Sequence, residues 1–138
     1  MKTSIVRTFA TLILGAILSP LALLAQEQLN VTIPFAFTVG ARSFAAGDYS
    51  VHQLNNGHVL QIRNQKDGVN IMTTVMRGEE SKTAGKPVLT FKQYGDRYFL
   101  AAVATDNQGW RLFQSKAEKE LIAQAKTSEP VVIAAASK

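Results

Sequence analysis

The two histidines are the first residues whose chemistry has to be considered, because imidazole can bind a metal or act as a general base. His52 and His58 are the only histidines in the 138-residue chain, and they flank Asn56-Gly57. That dipeptide is typical of a two-residue hairpin turn. Side chains alternate along strands, so two rings placed across such a turn point to opposite sides of the sheet. Asp48 is the one nearby acid, and the pattern favours ordinary strand residues over a metal site.

Hydrolytic chemistry has candidate groups but no arrangement that would bring them together. A serine hydrolase needs a nucleophile, a base and an orienting acid. No Gly-x-Ser-x-Gly elbow presents a serine for attack. Beside the two histidines, the available groups are Ser43, Ser50, Ser81, Asp48 and Asp96. Such a scattered set arises by chance in most chains, so the sequence predicts no catalytic residues.

Carboxylate, thiolate and cofactor chemistry is no better supported. Glycoside hydrolysis needs two acids that face one cleft, whereas Glu79 and Glu80 are neighbours whose side chains would diverge on a strand. The chain contains no cysteine, which excludes disulfides, thiolate metal sites and a cysteine nucleophile. No cofactor signature is present, because the glycines are spaced as turns and form no phosphate-binding series.

An aromatic segment is the remaining candidate for binding. Tyr94, Arg97 and Phe99 lie in its densest part, close to Tyr98 and Trp110. Such rings can form a stacking surface for a sugar, a peptide or a polymer. The alternative, which we favour, is cross-strand packing inside a sheet. Tyr94, Arg97 and Phe99 are therefore the candidate binding residues, and their joint exposure would support the stacking interpretation.

The elements that position these residues follow a leader. Lys2 and Arg7 precede an apolar stretch that ends at Leu24, and Ala25 then meets polar sequence. A basic start, an apolar stretch and a small residue are the parts of a secretory signal peptide. We expect residues 1–25 to be removed after Ala25, with Ala22 as the alternative site, and the product to be periplasmic or extracellular with no transmembrane span.

Residues 26–138 have the length of a single domain. The leader holds two of the fifteen basic residues and none of the ten acids, so its removal lowers the formal net charge from +5 to +3. The basic residues are scattered, which argues against a nucleic-acid partner. The sequence does not identify the partner, and an envelope protein or a polymer is the candidate.

Turn signals separate short runs of alternating apolar residues, which predicts a mainly β domain. A stripe runs from Val31 to Val39 at every second position, and Pro34 places this strand at an edge or at a bulge. Asp67-Gly68 marks a later turn into a strand over residues 69–76. Residues 77–87 form a polar loop, and residues 110–113 form a short strand.

Two hairpins are predicted. The first turns at Asn56-Gly57, which places Val51 opposite Ile62 and Gln53 opposite Leu60. The second joins residues 88–94 to residues 97–104 through Gly95-Asp96. Its predicted faces are Leu89, Phe91, Tyr98 and Leu100 on one side, and Lys92, Tyr94, Arg97 and Phe99 on the other.

A helix follows at about residues 116–126, because Ser115 and Glu118 form a capping box. Ala117, Leu121 and Ala125 make its apolar stripe, with Ile122 beside it. Residues 131–134 are read as a last strand on a sheet edge, with a frayed tail as the alternative. The fold expected is a small antiparallel barrel or curled sheet of about six to seven strands with one C-terminal helix.

Four segments together resemble a group of small exported bacterial proteins of unknown function. They are IPFAFTVG at 33–40, AGDYSV at 46–51, YGDRYFL at 94–100 and SKAEKEL at 115–121. The resemblance spans nearly the whole mature chain. It implies export, and it implies no activity, cofactor or partner.

The leading hypothesis is an exported, non-enzymatic β module that interacts with a protein or with the envelope. The alternatives are a small barrel that carries an apolar ligand and an uncharacterised hydrolase. A hollow interior above roughly 300 Å³ would favour the carrier. A filled core with one broad exposed apolar patch would favour the module.

Overall fold

The computed structural model describes residues 28–78, 85–124, 127 and 129–137. Within these residues there are eleven strands and one α-helix. The predicted leader lies outside the described residues, as do Ser81, Glu79 and Glu80. The elements are β1 Gln28–Ile33, β2 Phe37–Val39, β3 Arg42–Phe44, β4 Gly47–Leu54, β5 Val59–Asn64, β6 Asn70–Gly78, β7 Val88–Tyr94, β8 Arg97–Ala104, β9 Gly109–Leu112, α1 Lys116–Ala123, β10 Glu129–Ala134 and β11 Ala136–Ser137.

The strands form one large mixed sheet in the order β10-β7-β8-β9-β6-β5-β4-β1-β11. β2 joins this path through β8, and β3 pairs with β2. The β2–β8 pair is parallel, whereas the other pairs are antiparallel. The prediction of a mainly β fold with one helix is confirmed. The predicted strand count was too low, the sheet is not purely antiparallel, and it is not closed into a barrel.

The sheet curls around its main core. Nine strands side by side in a flat sheet would span about 38 Å, yet β1 and β10, near opposite ends of the path, are in contact. Strands β1 to β9 all contribute buried apolar side chains to one cluster, and Val131 and Ile133 of β10 pack against it. The inner face of the sheet is therefore the core, and the outer face is available to α1 and to solvent.

Pro34 divides the first predicted strand into two. β1 ends at Ile33 and β2 begins at Phe37, because Pro34 has no backbone N–H for the ladder. The predicted stripe survives this break, since Ile33 and Phe37 are buried and Phe35 is partly buried. Phe35 stacks on Tyr98 with 4.0 Å between the ring centroids.

The first hairpin has the predicted register, with Val51 opposite Ile62 and Gln53 opposite Leu60. Its turn is a short 3₁₀ segment in which the His58 N–H donates to the Asn55 carbonyl at 3.2 Å. Asn56 and Gly57 have φ values of 53° and 88°, which is the left-handed conformation that favours these two residue types. Turn chemistry therefore fixed this register locally.

The second hairpin has the predicted strand bounds and one unpredicted bulge. Phe91 pairs with Leu100, but Thr90 pairs with Ala102, so Ala101 is an extra residue in β8. A bulge of this kind shifts the alternation of side chains beyond it. Leu100 and Val103 consequently both face the core, while Ala102 faces outward.

Helix α1 begins as predicted, since Ser115 Oγ accepts from the Glu118 N–H at 3.2 Å. It ends at Ala123, earlier than the predicted residue 126. Its buried residues are Glu118 and Leu121, whereas Ile122 is exposed. Predicted stripe residue Ala125 lies outside the described residues. Across the described ranges, no helix has the length and hydropathy needed to cross a membrane.

The predicted last strand is confirmed as β10, which pairs with the β7 edge. One residue later the chain pairs with β1 as β11. Between them the Ala135 N–H donates to the Pro87 carbonyl at 2.7 Å. The C-terminal segment thus contacts strands from both ends of the curled sheet.

Candidate binding groove on the outer face of the sheet

The histidines lie apart from any cluster of metal-ligating groups. His52 is half-buried on β4, and His58 is exposed just after the turn. Among the described residues there is no group of three or more His, Asp or Glu side chains that could hold a metal ion.

The hydrolase candidates are separated in the same way. Ser43 Oγ lies 3.4 Å from Thr38 Oγ1, and Asp48 accepts from Thr32 Oγ1 at 2.5 Å. Ser50 is buried on β4. Within the described part of the chain, no hydrogen bond joins a serine to a histidine.

The three predicted binding residues meet, but they do not form an exposed stacking surface. Tyr94 and Phe99 are each 2% exposed, and their rings meet edge to face with 5.8 Å between centroids. Leu121 of α1 covers them in a small second cluster on the outer face. The Arg97 guanidinium lies 5.2 Å from the centroid of the Phe99 ring. Cross-strand packing under the helix accounts for Tyr94 and Phe99, whereas Arg97 is exposed beside the Phe99 ring.

Glu118 couples the helix to this hairpin. Its carboxylate is buried and accepts from the Tyr94 hydroxyl at 3.0 Å. In a complete capping box the Glu118 side chain would reach back to the start of the helix, whereas the structure directs it down onto β7. A buried carboxylate needs such a donor, because desolvation of an unpartnered charge is costly. The bond therefore sets the position of α1 on the sheet.

Beside α1 the outer face forms an open groove with a volume of about 680 Å³. Strand pairing aligns Arg111 of β9, Ala102 of β8 and Thr90 of β7 across the outer face. The short side chains of Ala102 and Thr90 form the floor of the groove. The bulge residue Ala101 extends this floor. Large apolar side chains rise at the sides, with Met76 46% exposed and Phe113 54% exposed.

Cationic side chains surround this apolar floor. Lys92 comes from β7, Arg111 from β9 and Lys119 from α1. Arg111 and Lys119 are exposed and Lys92 is half-buried. None of the three forms an ion pair with a described residue. Glu118 is the one carboxylate among the described residues that line the groove, so three cations stand against one acid and the described lining is positively charged on balance.

A smaller polar pocket lies at the end of the first hairpin. It has a volume of about 120 Å³ and is lined by His58, Arg77, Gln108 and Trp110, among others. Trp110 is 5% exposed and belongs to the core, so it is one wall of the pocket and offers no free ring face. This pocket is much smaller than the outer groove, whose volume is about 680 Å³.

Sequence reasoning missed the groove as a site. It placed Lys92 on the same hairpin face as Tyr94 and Phe99, which is the correct face. The missing information was the strand order, because Met76 and Arg111 become neighbours only through the pairing of β6 with β9. One local signal was available: Ala101 and Ala102 are small residues in the middle of an otherwise bulky strand, which is where a partner can approach a sheet closely.

Comparisons of this chain with protein-family models, with curated proteins and with solved structures find no match.

Proposed function

We propose that this protein is an exported, non-enzymatic binding module that docks a partner in the outer groove beside α1. The observation that carries the proposal is the groove itself: a floor of the small side chains Thr90, Ala101 and Ala102, beside three cations of which none forms an ion pair with a described residue. Apolar surface framed by unpaired polar groups is typical of a binding site. The charged side chains present there suit recognition of a partner.

The state of the interior supports a docking module over a carrier of an apolar ligand. The cavity lined by the core residues Leu29, Val51 and Val103 has a volume of about 10 Å³. That is far below the roughly 300 Å³ of a small-molecule site. The packing of the interior therefore gives no support to a barrel that holds a ligand.

Export is a separate part of the proposal, and it rests on the leader pattern in residues 1–25. Amino-terminal sequencing of the protein recovered from outside the cytoplasm tests it. A start at Gln26, or at Leu23 for the alternative cleavage site, is the expected result. Material that still begins at Met1 would contradict the proposal.

Photo-crosslinking in the host tests the docking surface. A p-benzoylphenylalanine residue placed at Met76 puts the reactive ketone on the side of the groove. The matched control places it at Val69, an apolar residue of nearly equal exposure (47% against 46%) that does not line the groove. We expect a discrete higher-mass adduct from position 76 and none from position 69. Equal adducts from both positions, or none from either, would count against the groove.

A further inference from the structure

We infer that the occupant of the outer groove is an extended acidic segment of a partner protein. The inference rests on the proposed docking function and names the chemistry of the partner. The first reason is charge, because Lys92, Arg111 and Lys119 line the groove and none is paired with a described carboxylate. Complementary charge on a partner steers encounter and selects against partners of the wrong sign.

The second reason is the spacing of the cations. Arg111 and Thr90 are two strands apart through Ala102, and Lys92 lies two residues beyond Thr90 on β7. With ordinary strand spacing and rise, the Cα atoms of Arg111 and Lys92 are about 12 Å apart. A compact anion such as phosphate needs donors that converge on one point. Two carboxylates separated by about four residues of extended chain match this span.

The third reason is the apolar surface between the cations. Residues i, i+2 and i+4 of an extended segment share one side. When acids at i and i+4 reach Arg111 and Lys92, the side chain at i+2 lies over the floor at Ala102. Met76 and Phe113 are exposed beside this floor and offer apolar contact to the side chain at i+2. An acidic polysaccharide would satisfy the charges but would leave these two side chains without a partner.

Fluorescence anisotropy on the mature protein with labelled peptides tests the inference. The probe contains Glu-Ser-Leu-Ser-Glu, one matched peptide replaces both acids by Gln, and another replaces Leu by Ser. Each replacement is expected to weaken binding, the loss of both acids by at least about tenfold. Added salt should weaken binding of the acidic probe, since the contacts are solvent-exposed.

Variants of the protein locate the site. Arg111→Gln and Lys92→Gln are each expected to weaken binding of the acidic probe by roughly two- to fivefold. Ala102→Trp should block it by filling the floor of the groove. The matched control is Arg63→Gln, which removes an exposed cation from β5 outside the groove and should leave binding unchanged.

Three results would overturn the inference. They are equal binding of the Gln peptide, an effect of Arg63→Gln as large as that of Arg111→Gln, and binding of polygalacturonate without binding of the peptide. If position 76 crosslinks in the host while the acidic peptide does not bind, the docking function stands and the acidic partner is wrong. If position 76 does not crosslink in the host and the acidic peptide does not bind, both proposals fail.

Discussion

At the scale of single residues, the bond between Tyr94 and Glu118 decides what the hairpin surface can offer. The hydroxyl donates to a carboxylate that is 5% exposed. Because this bond fixes α1 over the rings of Tyr94 and Phe99, the aromatic pair is closed to a partner. The same bond leaves Lys119, the next residue of the helix, at the side of the groove.

Removal of this donor should destabilise the protein. Tyr94→Phe leaves the buried Glu118 carboxylate without the hydroxyl, and we expect the free energy of unfolding to fall by about 2 kcal/mol. Urea denaturation followed by circular dichroism measures the change. Tyr98→Phe is the matched control, because the Tyr98 hydroxyl forms no hydrogen bond with a described residue, and its effect should be within about 0.5 kcal/mol. Equal effects of the two variants would show that the bond with Glu118 contributes nothing.

At the scale of elements, the bulge in β8 determines which residues form the core and which form the groove. Without it, strict alternation after Leu100 would place Ala102 inside and Val103 outside. With Ala101 as an extra residue, Val103 is fully buried and Ala102 becomes part of the groove floor. One inserted residue thus supplies both a bulky core side chain and a smooth outer surface.

Substitutions on either side of the bulge test this assignment. Val103→Ala should lower the free energy of unfolding by about 2–3 kcal/mol, because it leaves a cavity in a filled core. Ala102→Ser should change it by less than about 0.5 kcal/mol, since this side chain faces the open groove. Thermal or urea unfolding of the two variants provides the measurement. A larger loss from Ala102→Ser than from Val103→Ala would mean that the strand has no bulge.

At the scale of the whole molecule, the C-terminal segment holds the ends of the curled sheet near each other. β10 covers the edge of β7, and β11 pairs with β1. An uncovered edge strand offers unpaired backbone groups to other chains. The segment therefore both completes the core and protects an edge.

The two sides of β10 should differ in their contribution to stability. Ile133 packs against the core, whereas Val132 is 59% exposed. We expect Ile133→Ala to lower the free energy of unfolding by about 1–2 kcal/mol, because only part of its surface is buried. Val132→Ala should have an effect below about 0.5 kcal/mol. Chemical denaturation distinguishes them, and similar values would show that β10 is not docked on the core.

The elements that were predicted correctly are those specified by neighbouring residues. Asn56-Gly57 and Gly95-Asp96 each determine a turn, and a turn determines the register of the two strands it joins. Ser115 determines where the helix begins, because its side chain caps the first turn. The alternation of apolar residues from Val31 to Val39 determines which side of β1 and β2 is buried. Such features depend on contacts close in sequence, and the sequence alone was enough to find them.

Contacts between distant segments decided the rest. Pairing of β6 with β9 and of β2 with β8 depends on how the whole sheet curls, and no local pattern records it. The groove needs Met76, Lys92 and Arg111 from three separate strands, so it exists only once those strands are neighbours. Local chemistry determined the hairpins and the cap in this protein. The burial of the predicted aromatic residues and the position of the candidate site were set by tertiary packing, because a curled sheet has an inside and an outside only after its ends approach.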